Sequence, residues 1–227
     1  MARAAERRLG DFNVQELANT AWAFATEGQS DVQLFAALAR AAERRVSDFN
    51  VQSLANTAWT FAMASQSDAQ LFAALAGVAE RRVSNFNVQS LANTAWALAT
   101  ASQSDVQLFA ALARAADRRL GDFNVQNLAN TAWAFAMASQ SDVQLFAVFA
   151  RAAERRLGDF NVQNLVNTAW AFATASQSDV QLFAALARTA ERRLGDFNVQ
   201  NLVNTAWAFA MASQSDVQML AVFRKAL

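Results

Sequence analysis

The residues of this chain whose types and spacing could do chemistry form three recurring sets, and the chemistry they suggest is recognition. The first set is Trp22, Trp59, Trp96, Trp133, Trp170 and Trp207, each 37 residues from the next. Indole faces could stack on bases. They also border an apolar stripe at helical spacing, and core packing is the expected role. The second set is one polar position, Glu16, Ser53, Ser90, Asn127, Asn164 and Asn201. Asn, Ser and Glu offer distinct donors and acceptors that could read nucleotide edges. They could equally be third-position residues completing helix starts. The third set is the arginine pairs, which include Arg44, Arg45, Arg81, Arg82, Arg118, Arg119, Arg155 and Arg156. They could hold phosphates along one edge. Each also suits a helix C-terminus and is closely followed by a residue such as Asp48, so a solvated, dipole-matched place is expected. Asn19 and its copies could face a ligand or bridge adjacent helices.

Composition narrows the reaction classes. The 227 residues contain no Cys and no His, which excludes disulfides, Cys- or His-ligated metal sites, Cys nucleophiles and His-based triads. The carboxylates, such as Asp31 and Glu43 with their copies, fall where helix capping and ion pairing explain them. No phosphate-cradling Gly loop and no nucleophile–base pair is present, so the expectation is a non-enzyme with no cofactor, no metal and no small-molecule substrate. The 19 basic and 19 acidic side chains give zero formal net charge, which weighs against strong phosphate-driven binding. No apolar run approaches the length of about 18 residues that spans a membrane. The Ala/Arg-rich segment Met1–Arg8 resembles the start of a transit peptide, but the same residues return inside the array at 39–45. It is therefore read as repeat sequence, and no targeting segment is assigned.

Elements must position these sets. Every 37 residues the chain repeats, with units starting near 12, 49, 86, 123, 160 and 197. Repetition at a fixed period is the signature of a stacked-repeat protein. In the first repeat Asn13 precedes Val14, Leu17, Ala18, Ala21, Phe24 and Ala25, which have helical spacing. Asn13 is the expected N-cap with Glu16 at N3, and Phe12 can staple onto Leu17. This helix is expected from about Val14 to about Thr26, ending near Gly28. Ser30 is the expected cap of a second helix, with Asp31 in its first turn, Gln33 at N3 and Arg44-Arg45 at its end. Gly10, Gly121, Gly158 and Gly195 are expected as stops just past that end, with Ser47 and Ser84 replacing them elsewhere. With no Pro and 54% hydrophobic residues, the expectation is all-α: an α-solenoid of six 37-residue helix-turn-helix repeats, a right-handed stack of twelve or so helices without strands.

On a helical wheel Glu16 lies opposite the apolar arc, while Asn19 and Thr26 lie beside it, next to Trp22. If the first helices line the concave face, the Glu16 set forms a polar row along it. Met1 and Leu227 both align inside a second helix. The expectation is thus a single array over 1–227 that is a piece of a longer one, or whose terminal half-helices pair with other copies.

The segment Leu17-Ala-Asn-Thr-Ala-Trp-Ala-Phe-Ala25, in a strict 37-residue helical pair, resembles the octotricopeptide and heptatricopeptide repeat families. It is similar as well to the leucine-rich FAST-kinase-like segments of mitochondrial proteins and to the helical subunits of kinetoplastid RNA-editing substrate-binding complexes. The resemblance covers the whole chain and implies an organellar single-stranded RNA-binding protein, of mitochondrion or chloroplast, acting in RNA processing, stability or translation. Many such proteins end in a RAP domain, which this chain lacks. Two other readings stay open. One is a protein–protein scaffold, in keeping with zero net charge and first helices free of Lys and Arg. The other is an array fragment without independent function.

Overall fold

A computed structural model describes residues 8–28 and 31–212. The chain divides into two compact units, Met1–Ala116 and Asp117–Leu227. Among the described residues there are eleven α-helices, and no strand is found. The first unit contains α1 (Val14–Thr26), α2 (Val32–Arg44), α3 (Val51–Met63), α4 (Ala69–Arg82) and α5 (Val88–Thr100), and α6 (Val106–Arg118) begins in it. The second contains α7 (Val125–Met137), α8 (Val143–Arg156), α9 (Val162–Thr174), α10 (Val180–Arg192) and α11 (Val199–Met211). No helix among the described residues is long and apolar enough to cross a membrane.

Each repeat is a helical hairpin, and neighbouring repeats stack like on like. In the first unit α1, α3 and α5 pack side by side, and α2 packs on α4. In the second unit α7, α9 and α11 do the same, with α8 on α10. The joint between repeats is aromatic. Phe35 of α2 meets Phe61 of α3 edge-to-face with ring centroids 5.3 Å apart. The equivalent pairs Phe146–Phe172 and Phe183–Phe209 each lie at 5.0 Å. All but Phe209 of these rings are essentially sealed from water, and burying a side chain of this size stabilises by about 1.5–3 kcal/mol.

The helix ends follow local chemistry, with two departures from expectation. Asn13, Asn50, Asn87, Asn124, Asn161 and Asn198 each accept the backbone N–H three residues on, and Asn13 with Glu16 completes a capping box. The second helices are capped by aspartate, not by the serine before it. Asp31, Asp68, Asp105, Asp142 and Asp179 all accept N–H groups at the helix start. Ser30 itself lies outside the described residues, as do Met1 to Arg7 and the segment 213–227. A carboxylate both fills the cap and complements the positive helix end, which favours it over a hydroxyl.

The second departure concerns glycine. Gly121, Gly158 and Gly195 are not left-handed stops. Each is the middle residue of a 3₁₀ turn, Leu120–Asp122, Leu157–Asp159 or Leu194–Asp196, and Ser47 and Ser84 hold the same place in Val46–Asp48 and Val83–Asn85. The left-handed residue falls after the first helix instead. Gly28 has φ +66°, and Ser65, Ser102, Ser139 and Ser176 stand there with φ 54–57°. The bonds Ser65 N–H to Ala62 C=O and Gln66 N–H to Phe61 C=O close this end as a Schellman motif.

Candidate nucleic-acid interface

The stacking of first helices decides which of their residues meet solvent. A first helix inside a unit touches a like helix on each side and its own second helix behind. One stripe escapes. In α3 it is Gln52, Asn56, Trp59 and Met63, exposed or half-exposed, while Ser53, Leu54, Ala55, Thr57, Ala58, Thr60, Phe61 and Ala62 are buried. The spacing of four, three and four residues puts these side chains one above another on the same face. The same stripe recurs as Gln15-Asn19-Trp22-Thr26, Gln89-Asn93-Trp96-Thr100, Gln126-Asn130-Trp133-Met137, Gln163-Asn167-Trp170-Thr174 and Gln200-Asn204-Trp207-Met211.

The tryptophans are therefore not core residues, contrary to the sequence expectation. Trp22 is 53% exposed and Trp207 43%, and the other four are half-buried. Within each unit they line up. Trp59 and Trp96 have ring centroids 6.3 Å apart, Trp133 and Trp170 6.1 Å, and Trp170 and Trp207 6.0 Å with planes only 22° apart. These paired rings pack against one another and stay partly in solvent, the amphipathic placement that indole favours. Beside the rings run amides. Gln163 donates to Asn167 Oδ1 at 2.7 Å, and Gln200 donates to Asn204 Oδ1 at 2.8 Å. Such pairs hold the Asn side chains in one rotamer with their NH₂ groups still available.

The row once expected on this face lies inside. Ser53, Ser90, Asn127 and Asn164 are buried, Asn164 to 4% exposure, and only Glu16 is exposed and Asn201 half-exposed. The reason is angular. Position 53 sits about 100° round the helix from Gln52, which turns it into the neighbouring first helix. The backbone N–H of each of these residues donates to its Asn cap, at 2.8 Å for Asn164, so the helix-start reading is the one the geometry supports. The buried Ser53, Ser90, Asn127 and Asn164 do not present their side chains to solvent.

The arginine pairs divide into two roles. The second member reaches back to the start of its own repeat. Arg82 Nη1 donates to the Phe49 carbonyl at 2.7 Å and Nη2 to the Ser47 carbonyl at 3.0 Å. Arg45, Arg156 and Arg193 donate likewise to the carbonyls of Phe12, Phe123 and Phe160. Arg45, Arg119 and Arg156 also pair with Asp48, Asp122 and Asp159 at 3.8 to 4.0 Å. These guanidinium groups clasp the turn ahead of the preceding Asn cap. The first members, Arg44, Arg81, Arg118 and Arg155, are exposed. The clasp bonds place this arginine edge at the N-terminal ends of the first helices, where the Gln row of the stripe begins. Elsewhere on the second helices, burial first and the nearby Asp179 charge second push the Glu154 carboxyl upward, and Arg155 opposes them.

The Gln row is the part of this face that periodicity alone did not single out. Its signal was present: Gln15, Asn19, Trp22 and Thr26 share one helical face. Among the described residues no cluster of acidic residues suited to a metal ion occurs. Residues 2–155 match the family of the RNA-editing substrate-binding complex 6 protein. No curated protein matches the chain.

Proposed function

The chain belongs to the RNA-editing substrate-binding complex 6 protein family, and from that premise we propose that it holds single-stranded RNA as a non-catalytic component of an RNA-editing substrate-binding complex in a mitochondrion or chloroplast. The observation that carries the reading is the exposed Gln–Asn–Trp stripe. Base–aromatic stacking is worth about 1–3 kcal/mol per base and tolerates any sequence. Asn and Gln amides supply donors and acceptors for base edges. Positive charge comes from the arginine edge at the helix starts, since the first helices themselves carry no Lys or Arg. The arrangement favours bases over the stripe and phosphates toward Arg44, Arg81, Arg118 and Arg155.

Intrinsic fluorescence tests this directly. The chain has six Trp and no Tyr, and every Trp sits on the stripe, so its emission reports on this face alone. Titration with a single-stranded RNA should quench it, and raising salt should weaken the effect, because phosphate contacts release counterions. An unchanged emission at low salt rejects the reading. First helices without Lys or Arg favour a second one, a protein partner seated on the same Trp–Asn face, and quenching by a complex subunit but not by RNA would support it.

A further inference from the structure

The exposed stripe has a period of two repeats. Its Gln, Asn and Trp positions are identical in all six repeats, but its last position reads Thr26, Met63, Thr100, Met137, Thr174, Met211. No other position of the 37 alternates through all six repeats. The N3 position, for example, runs Glu, Ser, Ser, Asn, Asn, Asn. Copying of a repeat pair accounts for alternation in the last four repeats, where Ala111, Val148, Ala185 and Val222 alternate too, but not in the first two, where Ala37 and Ala74 are identical. Packing does not demand it either, since Met63, Met137 and Met211 are 53%, 43% and 55% exposed.

The two side chains shape the ground beside each Trp differently. Thr26 turns its hydroxyl back onto its own helix, with the Trp22 and Ala23 carbonyls at 2.9 and 3.0 Å. The Thr174 hydroxyl is buried without a hydrogen-bond partner. A threonine here is a shallow step that shows little polar character. Methionine at the same place extends further, is flexible and polarizable, and favours contact with aromatic rings. A ligand along the stripe meets step, filled place, step in the first unit, and filled place, step, filled place in the second.

We infer that this position sets base preference on a two-repeat register: a purine is favoured beside each Thr and a pyrimidine beside each Met. The inference rests on the RNA reading above. A step accommodates the larger base, whereas a methionine fills that space and packs on the smaller one. Filling or vacating a pocket by an atom or two is worth roughly tenfold in discrimination.

The test uses the full chain and two RNA strands of about twelve nucleotides, long enough for one nucleotide per repeat. Both contain equal A and C, one strictly alternating and one with A and C in two blocks. Trp emission and anisotropy of labelled strands give the affinities. The parent should bind the alternating strand about tenfold more tightly. The triple variant Met63→Thr, Met137→Thr, Met211→Thr, altered only at exposed positions, should lose that difference and bind an A-only strand better than the parent does. Equal parent affinities for the two strands overturn the inference while leaving the RNA reading intact. So does a triple variant that keeps the parent's preference. Failure of the parent to bind either strand removes the RNA reading, and this inference with it.

Discussion

The guanidinium of Arg82 donates to the carbonyl oxygen of Phe49, 33 residues earlier, at 2.7 Å. That contact joins the end of a repeat's second helix to the residue before the cap of its own first helix. A clasp of this kind explains why the second member of the pairs from Arg44–Arg45 to Arg192–Arg193 is half-buried and the first exposed. Hydrogen bonds from charged donors are worth about 1.5–3 kcal/mol. Arg82→Gln should therefore lower stability by about that amount in urea denaturation, while Arg81→Gln, at an exposed site, should change it by less than about 0.5 kcal/mol. Equal losses at the two positions would show that the clasp contributes nothing specific.

Trp170 contacts both Trp133 and Trp207, yet it is only half-buried. Trp170→Ala should cost about 1–3 kcal/mol in stability, less than removal of a fully buried indole. It should also weaken RNA binding by about 1–3 kcal/mol, the value of one stacked base. Circular dichroism melts and strand titrations on the same preparation separate the two effects. A stability loss with no change in affinity would assign the ladder to packing alone.

Asn164 is buried with its backbone N–H on the Asn161 side chain at 2.8 Å. Asn164→Ser should leave base preference untouched. Asn164→Glu should destabilise by more than about 2 kcal/mol, since a carboxylate would be enclosed between helices. Glu occupies the equivalent place at Glu16 because that site is exposed. Competition between strands of different sequence checks the first statement and denaturant titration the second.

Ser102 holds φ +57° at the end of α5. The left-handed region costs an ordinary residue about 1–2 kcal/mol. Ser102→Gly should relieve that strain and come out between neutral and about 1 kcal/mol stabilising, the greater freedom of unfolded glycine offsetting part of the gain. Ser102→Val should be destabilising by more than about 1 kcal/mol, because a β-branched side chain fits this region worst. Thermal melts of the two variants should move in different directions or by clearly different amounts.

The all-α hairpin repeat was legible from local information. Asn13 before an apolar 3.6-residue period announces α1, whose observed limits, Val14–Thr26, match the expected ones. Capping, period and the absence of Pro act within a few residues, so one strand of sequence carries them. The loss of Ser30 in favour of Asp31-type caps, and of Gly121 as a left-handed stop, shows the limit of that reasoning at the ends. There two adjacent residues are both acceptable, and small differences in charge and turn geometry choose between them.

The recognition face was decided by tertiary structure. Seen on a lone helix, Trp22 borders the apolar arc and Glu16 lies opposite it, which makes the first look like core and the second like surface. Inside a stack the middle first helix of each unit, α3 or α9, acquires a like neighbour on both flanks. The flank bearing Ser53, Ser90, Asn127 and Asn164 is then covered, and the Gln–Asn–Trp stripe is the part left open. Sequence alone determined which helices form and which of their faces are apolar. Which polar residues stay wet depended on where the neighbouring helices sit, a quantity set by packing across 37 residues and not by any local pattern.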